Sequence, residues 1–137
     1  MICLAYLSSA THPMDAPTLL GLVERAQKAN AARGVTGMLC HYDGSFLQFL
    51  EGEEAAVTEV YDAIRRDPRH RGILEVYRQP ISERIFGDWT MAAVRADEVG
   101  PAQQAFCKSL RQVELAGAAE HRQALQPFLD SFRAWIR

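Results

Sequence analysis

The stretch 34-GVTGMLCHYDGSFLQFLEG-52 contains two apolar runs, residues 35–42 and 45–51, which are separated by Asp43 and Gly44. An Asp-Gly pair between apolar runs is typical of the tight turn that joins two antiparallel strands, because it tolerates the backbone angles which that turn requires. The stretch therefore predicts a β-hairpin, and the rest of the chain can be read outward from it.

Gln48 is the unusual residue of the second run. Side chains alternate between the two faces of a strand, so Gln48 shares a face with the apolar residues Phe46 and Leu50. Leaving the donors or the acceptor of a buried carboxamide without a partner costs about 1 to 3 kcal/mol. Gln48 therefore requires a polar partner inside the protein.

The segments before the hairpin predict one strand and one helix. Residues 1–8 are apolar on both faces, which favours a central strand that is covered on both sides. A polar loop over residues 9–17 follows, with Asp15 as a possible helix cap and Pro17 in a first turn. Apolar residues at helical spacing then predict a helix that ends at Gly34 and carries Asn30 on its buried stripe.

The segments after the hairpin complete an α+β domain. Helical spacing predicts a helix over residues 53–66, and Pro68 prevents its continuation. Residues 73–77 and 89–94 are predicted strands, with a loop over residues 80–84 between them. The order β-α-β-β-α-β-β predicts a ferredoxin-like sheet with one added strand, and right-handed crossovers place both helices on one face.

The C-terminal residues are predicted to form amphipathic helices over residues 101–115 and 120–137. We expect residues 1–96 to form one domain and residues 97–137 to form a helical extension that packs on the other face of the sheet. The apolar residues of this extension could instead form a surface for a partner.

Composition excludes several classes of function. A net charge of -2, with 48% hydrophobic and 23% charged residues, indicates a soluble globular protein with no basic excess for nucleic acid. No apolar run approaches the length of a membrane span, so we expect no membrane association and a cytoplasmic location. Cys3, Cys40 and Cys107 lack metal-binding spacing, which predicts reduced thiols and no metal.

Polar residues at predicted core positions allow two interpretations. Tyr6 can pack in the core with its hydroxyl on Gln48 as a purely structural pair. Alternatively, a planar ligand with a polar edge lies between the two helices, with Asn30 and Arg69 on its carbonyl groups. The spacing of these residues does not separate the two interpretations.

Over residues 2–95 the sequence resembles the BLUF family of blue-light photoreceptors, which are flavin-binding domains with this order of strands and helices. Each matching segment is short, and their order and spacing together are specific to the family. The matching segments are 4-LAYLS-8, Asn30, 35-VTGML-39, 44-GSFLQFLEG-52, 67-DPRH-70 and 84-RIFGDWTM-91.

The resemblance implies roles for individual residues. Tyr6 and Gln48 match the photoactive tyrosine and glutamine beside the flavin. Asn30 and Arg69 match residues that hold the carbonyl groups of the flavin ring.

Further matched positions complete the expected site. Ser8, Asp67 and His70 match residues in or near the same pocket. Trp89 and Met91 match a tryptophan and a methionine whose positions near the pocket change on signalling.

The resemblance also implies a mechanism and a cofactor. Excitation moves an electron and a proton from Tyr6 to the flavin, the amide of Gln48 rotates or tautomerises, and recombination leaves a rearranged hydrogen-bond network. We expect noncovalent FAD, although FMN has the same ring and would also fit. The rearrangement supplies only about 1 to 3 kcal/mol, which suffices to shift a bistable element.

No effector domain follows the match, so the chain resembles a short, stand-alone BLUF protein without enzymatic activity. It would signal to a separate, unidentified protein, and the sequence also allows a homo-oligomer. The signal is expected to leave through Trp89, Met91 and the C-terminal helices, unless those helices merely cover the sheet.

Two functions from other classes compete with a light sensor. An acylphosphatase-like enzyme shares the fold pattern and could use Arg69 and Asn30 on a phosphate, but no glycine-rich anion loop precedes the first helix. A colourless ligand-binding or dimerisation module is the other alternative. Absorbance of visible light by the purified protein separates a flavoprotein from both.

Overall fold

The computed structural model describes residues 1–12, 15–42, 45–87 and 92–95. The elements follow the predicted order β-α-β-β-α-β-β. Their bounds are β1 Ile2–Ala10, α1 Ala16–Arg33, β2 Thr36–Tyr42, β3 Ser45–Gly52, α2 Glu54–Arg65, β4 His70–Pro80 and β5 Ala92–Arg95.

The strands form one five-stranded sheet in the order β4-β1-β3-β2-β5. Neighbouring strands are antiparallel from β4 to β2, and β5 is added parallel to β2. β1 lies between β3 and β4, as the apolar character of both its faces predicted. The ferredoxin-like α+β fold with one added strand is confirmed.

The residues predicted to begin and end α1 do so. The backbone N–H of Thr18 donates to Oδ1 of Asp15 at 2.8 Å, and Pro17 occupies the first turn. Gly34 ends the helix in the left-handed conformation with φ of 67°, which glycine adopts without steric penalty. This ending fixes Asn30 in the last turn, facing the sheet.

Two strands are longer than predicted. β1 continues to Ala10 through residues assigned to a loop, and β4 spans His70–Pro80 where only residues 73–77 were predicted. The extra residues pair across the sheet, Ala10 with His70 and Ser9 with Arg71, so backbone hydrogen bonds extend strands that lack an apolar pattern there. β4 is an edge strand with many exposed side chains, so its sequence lacks the apolar alternation that would predict its full length.

Several predictions concern residues outside those described. They are the turn at Asp43 and Gly44, Trp89 and Met91 ahead of β5, the thiol of Cys107, and the helices over residues 101–115 and 120–137. The division into residues 1–96 and 97–137 stays a prediction.

Both helices pack on the same face of the sheet. Their buried residues form one cluster with alternate residues of the strands: Ile2, Leu4, Tyr6, Leu19, Leu22, Val23, Val35, Leu39, Phe46, Leu50, Val57, Val60 and Tyr61. In the described part of the chain, neither helix has the combination of length and apolar character that spanning a bilayer requires.

The opposite face of the sheet is also buried. Cys3 and Leu7 of β1 and Phe49 of β3 are fully inaccessible to solvent. Phe86, in the segment after β4, packs on Phe49 with 5.5 Å between ring centroids. Cys3 and Cys40 are both buried, and neither forms a disulfide within the described residues.

Candidate functional site

A cavity of about 260 Å³ lies between α1, α2 and the sheet. Its wall contains one stripe from each helix, three strand residues and two residues from the connection between α2 and β4. The lining residues are Leu22, Arg25, Ala26, Ala29, Asn30, Arg33, Leu39, Gln48, Glu59, Val60, Ala63, Ile64, Asp67, Arg69 and His70.

Small side chains create the space between the helices. Ala26 and Ala29 of α1 face the cavity three residues apart, which places them on one helix face, and Ala63 faces it from α2. Leucine or isoleucine at these positions would fill the gap and close the two helices on each other. The sequence analysis did not assign Ala26 and Ala63 to the site, although alanine at helical spacing is a signal that could have been used.

Gln48 and Tyr6 meet beside this cavity. The register of β1 and β3 places the two residues directly opposite each other, and the Tyr6 hydroxyl donates a hydrogen bond to Oε1 of Gln48. Tyr6 is fully buried, and burial raises the pKa of its phenol above the ordinary value of 10.0. The phenol therefore stays protonated at neutral pH and can donate to the carboxamide.

Tyr6 is held in place by rings as well as by Gln48. The Tyr61 ring lies 5.5 Å from it, and the His70 ring approaches it edge-on at 6.5 Å. Tyr6 does not line the cavity, whereas Gln48, to which it donates, does. The hydrogen bond to Gln48 and the ring contact with His70 therefore connect Tyr6 to the cavity wall.

Asn30 is the second buried amide of the cavity wall. Only 1% of its surface is exposed, although it lies in the last turn of α1, where polar residues usually face solvent. Its backbone carbonyl accepts a hydrogen bond from the backbone N–H of Val35 at 2.9 Å, which fixes the turn that leads into β2. Asn30 itself lines the cavity.

Asp67 and Arg69 form a charged pair at the end of α2. Nε of Arg69 donates to both carboxylate oxygens of Asp67, at 2.9 and 3.0 Å, and a terminal guanidinium nitrogen also donates to the carboxylate. These hydrogen bonds lower the pKa of Asp67 and raise that of Arg69. The Arg69 side chain lines the cavity and is 37% exposed, so it retains contact with solvent.

His70 and Ser8 form a further polar contact. Oγ of Ser8 lies 3.0 Å from Nδ1 of His70, and the imidazole packs on the Phe46 ring at 5.2 Å between centroids. Burial lowers the pKa of His70, which favours the neutral ring. Ser8 reaches the cavity only through His70, because His70 lines it and Ser8 does not.

The arrangement suits a flat molecule with apolar faces and a polar edge. Most of the wall surface is apolar. Its polar groups are the amides of Asn30 and Gln48, the imidazole of His70 and the charged side chains of Arg25, Arg33, Glu59, Asp67 and Arg69. Carboxamides both donate and accept, so they can match the alternating carbonyl and ring-nitrogen groups of such an edge. In the described ranges, no group of three His, Cys, Asp or Glu side chains could hold a metal ion.

The structure thus brings together the predicted pocket residues. Asn30, Gln48, Asp67, Arg69 and His70 line one cavity. Tyr6 and Ser8 do not line the cavity but contact Gln48 and His70, which do. Trp89 and Met91 are outside the described residues.

Comparison with known proteins identifies a family over most of the chain. The family model named BLUF, described as sensors of blue light using FAD, matches residues 1–92. Photoactivated adenylate cyclase subunit beta of Euglena gracilis is 40% identical over 91 residues. That match covers 66% of this chain and 11% of the relative, so the chain spans about a tenth of that protein's length.

Solved structures agree with the family match. The dark-state structure of the BLUF protein BlrB has a TM-score of 0.79 at 26% identity, and the alignment covers 97% of this chain and 95% of BlrB. Klebsiella pneumoniae BlrP1, in a structure with FMN and cyclic diGMP, has a TM-score of 0.67 at 33% identity. That alignment covers 80% of this chain and 29% of BlrP1.

Proposed function

The chain belongs to the BLUF family of blue-light sensors, and from this premise we propose that Tyr6 and Gln48 are its photoactive pair and that the cavity between α1 and α2 holds noncovalent FAD. The observation that carries the proposal is the hydrogen bond from the Tyr6 hydroxyl to Oε1 of Gln48 at the cavity wall. This hydrogen bond connects Tyr6, which can release an electron, with Gln48, whose side chain can reorient.

The fit of the cavity to a flavin rests on its residues. Leu39 and Ile64 supply apolar surface, while Asn30, Gln48 and Arg69 supply polar contacts along one side. We assign Asn30 and Arg69 to the carbonyl groups of the ring, with Asp67 orienting the guanidinium through its hydrogen bonds. His70, neutral because of burial, adds a polar ring without adding a charge.

A bound flavin supplies absorption of blue light and an excited state that takes up an electron. Tyr6 gives up one electron and its phenolic proton and afterwards recovers both, so the protein retains no redox or covalent change. Gln48 changes its orientation during this interval. With Nε2 turned toward Tyr6, the amide donates where Oε1 formerly accepted, and the phenol must place its proton elsewhere.

The lasting product of illumination is therefore a different hydrogen-bond pattern around Gln48. Such a difference amounts to about 1 to 3 kcal/mol, which corresponds to a change of about 5-fold to 150-fold in a coupled equilibrium. We propose that a separate protein reads this change and that this chain contributes no enzymatic step.

The cofactor assignment follows the family description, which names FAD. The experiment is to purify the protein from flavin-sufficient cells, denature it in darkness and separate the released flavins by chromatography. We expect FAD in near-stoichiometric amount. Release of FMN alone would contradict the assignment of FAD, and release of no flavin would contradict the proposed function.

The assignment of Arg69 can be tested against a matched arginine. Arg71 lies two residues after Arg69, at the start of β4, where it is exposed and does not line the cavity. We expect Arg69→Leu to weaken flavin retention during dialysis by about tenfold, since a charge-assisted hydrogen bond contributes about 1.5 to 3 kcal/mol. Arg71→Leu should retain flavin as the parent does, and equal losses in the two variants would remove Arg69 from the site.

A further inference from the structure

Glu51 forms a polar centre on the face of β3 that points away from the cavity. The residue is fully buried, and its carboxylate accepts three hydrogen bonds. The donors are the Thr36 hydroxyl at 2.8 Å, the Ile85 backbone N–H at 2.7 Å and the Phe86 backbone N–H at 2.8 Å. The two backbone donors belong to the segment between β4 and β5.

Arg84 ties the same segment to three elements. Its guanidinium donates to the Thr36 hydroxyl at 2.8 Å, to the Glu51 backbone carbonyl at 3.4 Å and to the Gly34 carbonyl at 2.7 Å. These acceptors mark the start of β2, the end of β3 and the end of α1. We refer to Thr36, Glu51, Arg84, Ile85 and Phe86 as the Glu51 cluster.

The Glu51 cluster is connected to the photoactive pair by one strand. Gln48 faces the cavity, the next residue, Phe49, faces the other side and packs on Phe86, and Glu51 follows two positions later on that same side. A displacement of β3 at Gln48 therefore acts on Phe86 through a ring contact and through a carboxylate hydrogen bond.

The segment held by Glu51 leads directly to the predicted signalling residues. Residues 84–86 are fixed by the cluster, and β5 is fixed by parallel pairing with β2. Trp89 and Met91 lie in sequence between these two attachments. Loosening the first attachment would change the constraint on everything between them.

We propose that Glu51 is a positioning residue that couples the strand bearing Gln48 to the segment preceding Trp89 and Met91. The proposal rests on the proposed function, because it requires a light-dependent change at Gln48. A carboxylate suits this role, since its oxygens only accept and all three of its partners donate.

The direct test follows the amide protons of Ile85 and Phe86 by hydrogen exchange in the flavin-loaded full chain. Both amides donate to the buried carboxylate, so their exchange rates report the state of the cluster. Blue light is expected to change these rates by about 5-fold to 150-fold in the parent. In Gln48→Leu loaded with flavin to the same occupancy as the parent, light is expected to leave them unchanged.

A second comparison separates coupling from simple structural support. Glu51→Gln replaces one acceptor oxygen by a donor and should keep the light-induced spectral shift while losing most of the light-dependent exchange over residues 84–95. Glu53→Gln is the matched control, because Glu53 is exposed and its side chain makes no capping hydrogen bond. It should behave as the parent does.

The outcomes are distinct. A light-dependent exchange difference that persists at full size in Glu51→Gln would overturn the proposal, as would unchanged Ile85 and Phe86 exchange in a parent that shows the spectral shift. If Glu51→Gln does not fold, the comparison of the parent with Gln48→Leu decides alone. Absence of any spectral shift in the parent would instead contradict the proposed function.

Discussion

The two faces of β3 carry buried polar side chains of nearly equal size, Gln48 toward the cavity and Glu51 away from it. Gln48 is 5% exposed and Glu51 is 0% exposed. Turning a carboxylate over exchanges two equivalent oxygens and changes nothing, whereas turning a carboxamide over exchanges an acceptor for a donor. One chemical difference, NH2 for O, therefore separates Gln48, the proposed switch, from Glu51, the proposed anchor, on the same strand.

The partners of the two side chains match this difference. Glu51 meets three donors, two of them backbone N–H groups that cannot reverse their polarity. Gln48 meets the hydroxyl of Tyr6, which can either donate or accept. We therefore expect changes at the anchor to affect stability most and changes at the switch to affect the light response most.

Gly37→Ala should produce the largest effect, because it disturbs both faces of β3 at once. A Cβ atom at Gly37 would lie 1.9 Å from the backbone oxygen of Phe49, a contact that no rotamer can relieve. We expect a loss of about 4 kcal/mol or more in the free energy of unfolding, measured by denaturant titration. Gly21→Ala is the control, since a Cβ there meets nothing within 4 Å and removes a helix-interior glycine, which should stabilise by about 0.5 to 1 kcal/mol.

Glu51→Leu should destabilise the fold more than Gln48→Leu does. Glu51→Leu leaves the buried donors of Thr36, Ile85 and Phe86 without an acceptor. We expect it to lower the free energy of unfolding by about 2 to 5 kcal/mol. Gln48→Leu leaves the Tyr6 hydroxyl without its acceptor, and we expect it to lower the free energy of unfolding by about 1 to 2 kcal/mol. Equal losses in parallel unfolding titrations would refute the distinction between anchor and switch.

Tyr6→Phe should leave the anchor intact and disable the switch. Phenylalanine keeps the buried ring but removes the hydroxyl that donates to Gln48, so stability should fall by only about 1 kcal/mol. The dark absorption spectrum should remain that of a flavoprotein, without the normal light-induced red shift. A complete photocycle in this variant would mean that another residue supplies the electron.

His70→Asn should produce the smallest effect, on the pH dependence of stability. Burial lowers the folded-state pKa of His70 below 6.5, so the unfolded chain binds a proton first as the pH falls. The contribution of His70 to the free energy of unfolding is fully present above pH 6.5 and is lost as the pH falls through the folded-state pKa. The slope of this loss is at most about 1.4 kcal/mol per pH unit. His70→Asn should flatten the dependence of the unfolding free energy on pH when it is measured between pH 7 and 5.

The sequence predicted those features whose cause is local. Alternation along two apolar strands was enough to orient Gln48 inward, and Asp15 and Gly34 were identified by the chemistry of helix ends. The family resemblance then supplied the roles of Tyr6, Asn30 and Arg69, which composition and spacing had left open.

The features that the sequence did not predict depend on distant partners. In the sequence, Glu51 is typical of a polar residue at the end of a strand. It is a buried acceptor because the backbone N–H groups of Ile85 and Phe86, more than thirty residues later, donate to it. β4 was predicted too short because its pairing with β1, rather than an apolar pattern, determines its length. Backbone pairing of this kind leaves little trace in side-chain periodicity.

The most direct test of the switch is a pair of light-minus-dark absorption spectra, recorded on the flavin-loaded parent and on Gln48→Leu. The parent should show a red shift of the flavin band under blue light that reverses in darkness. Gln48→Leu should bind flavin and show no shift, because leucine has neither a donor nor an acceptor to exchange. A normal, reversible red shift in Gln48→Leu would contradict the assignment of Gln48 as the switch.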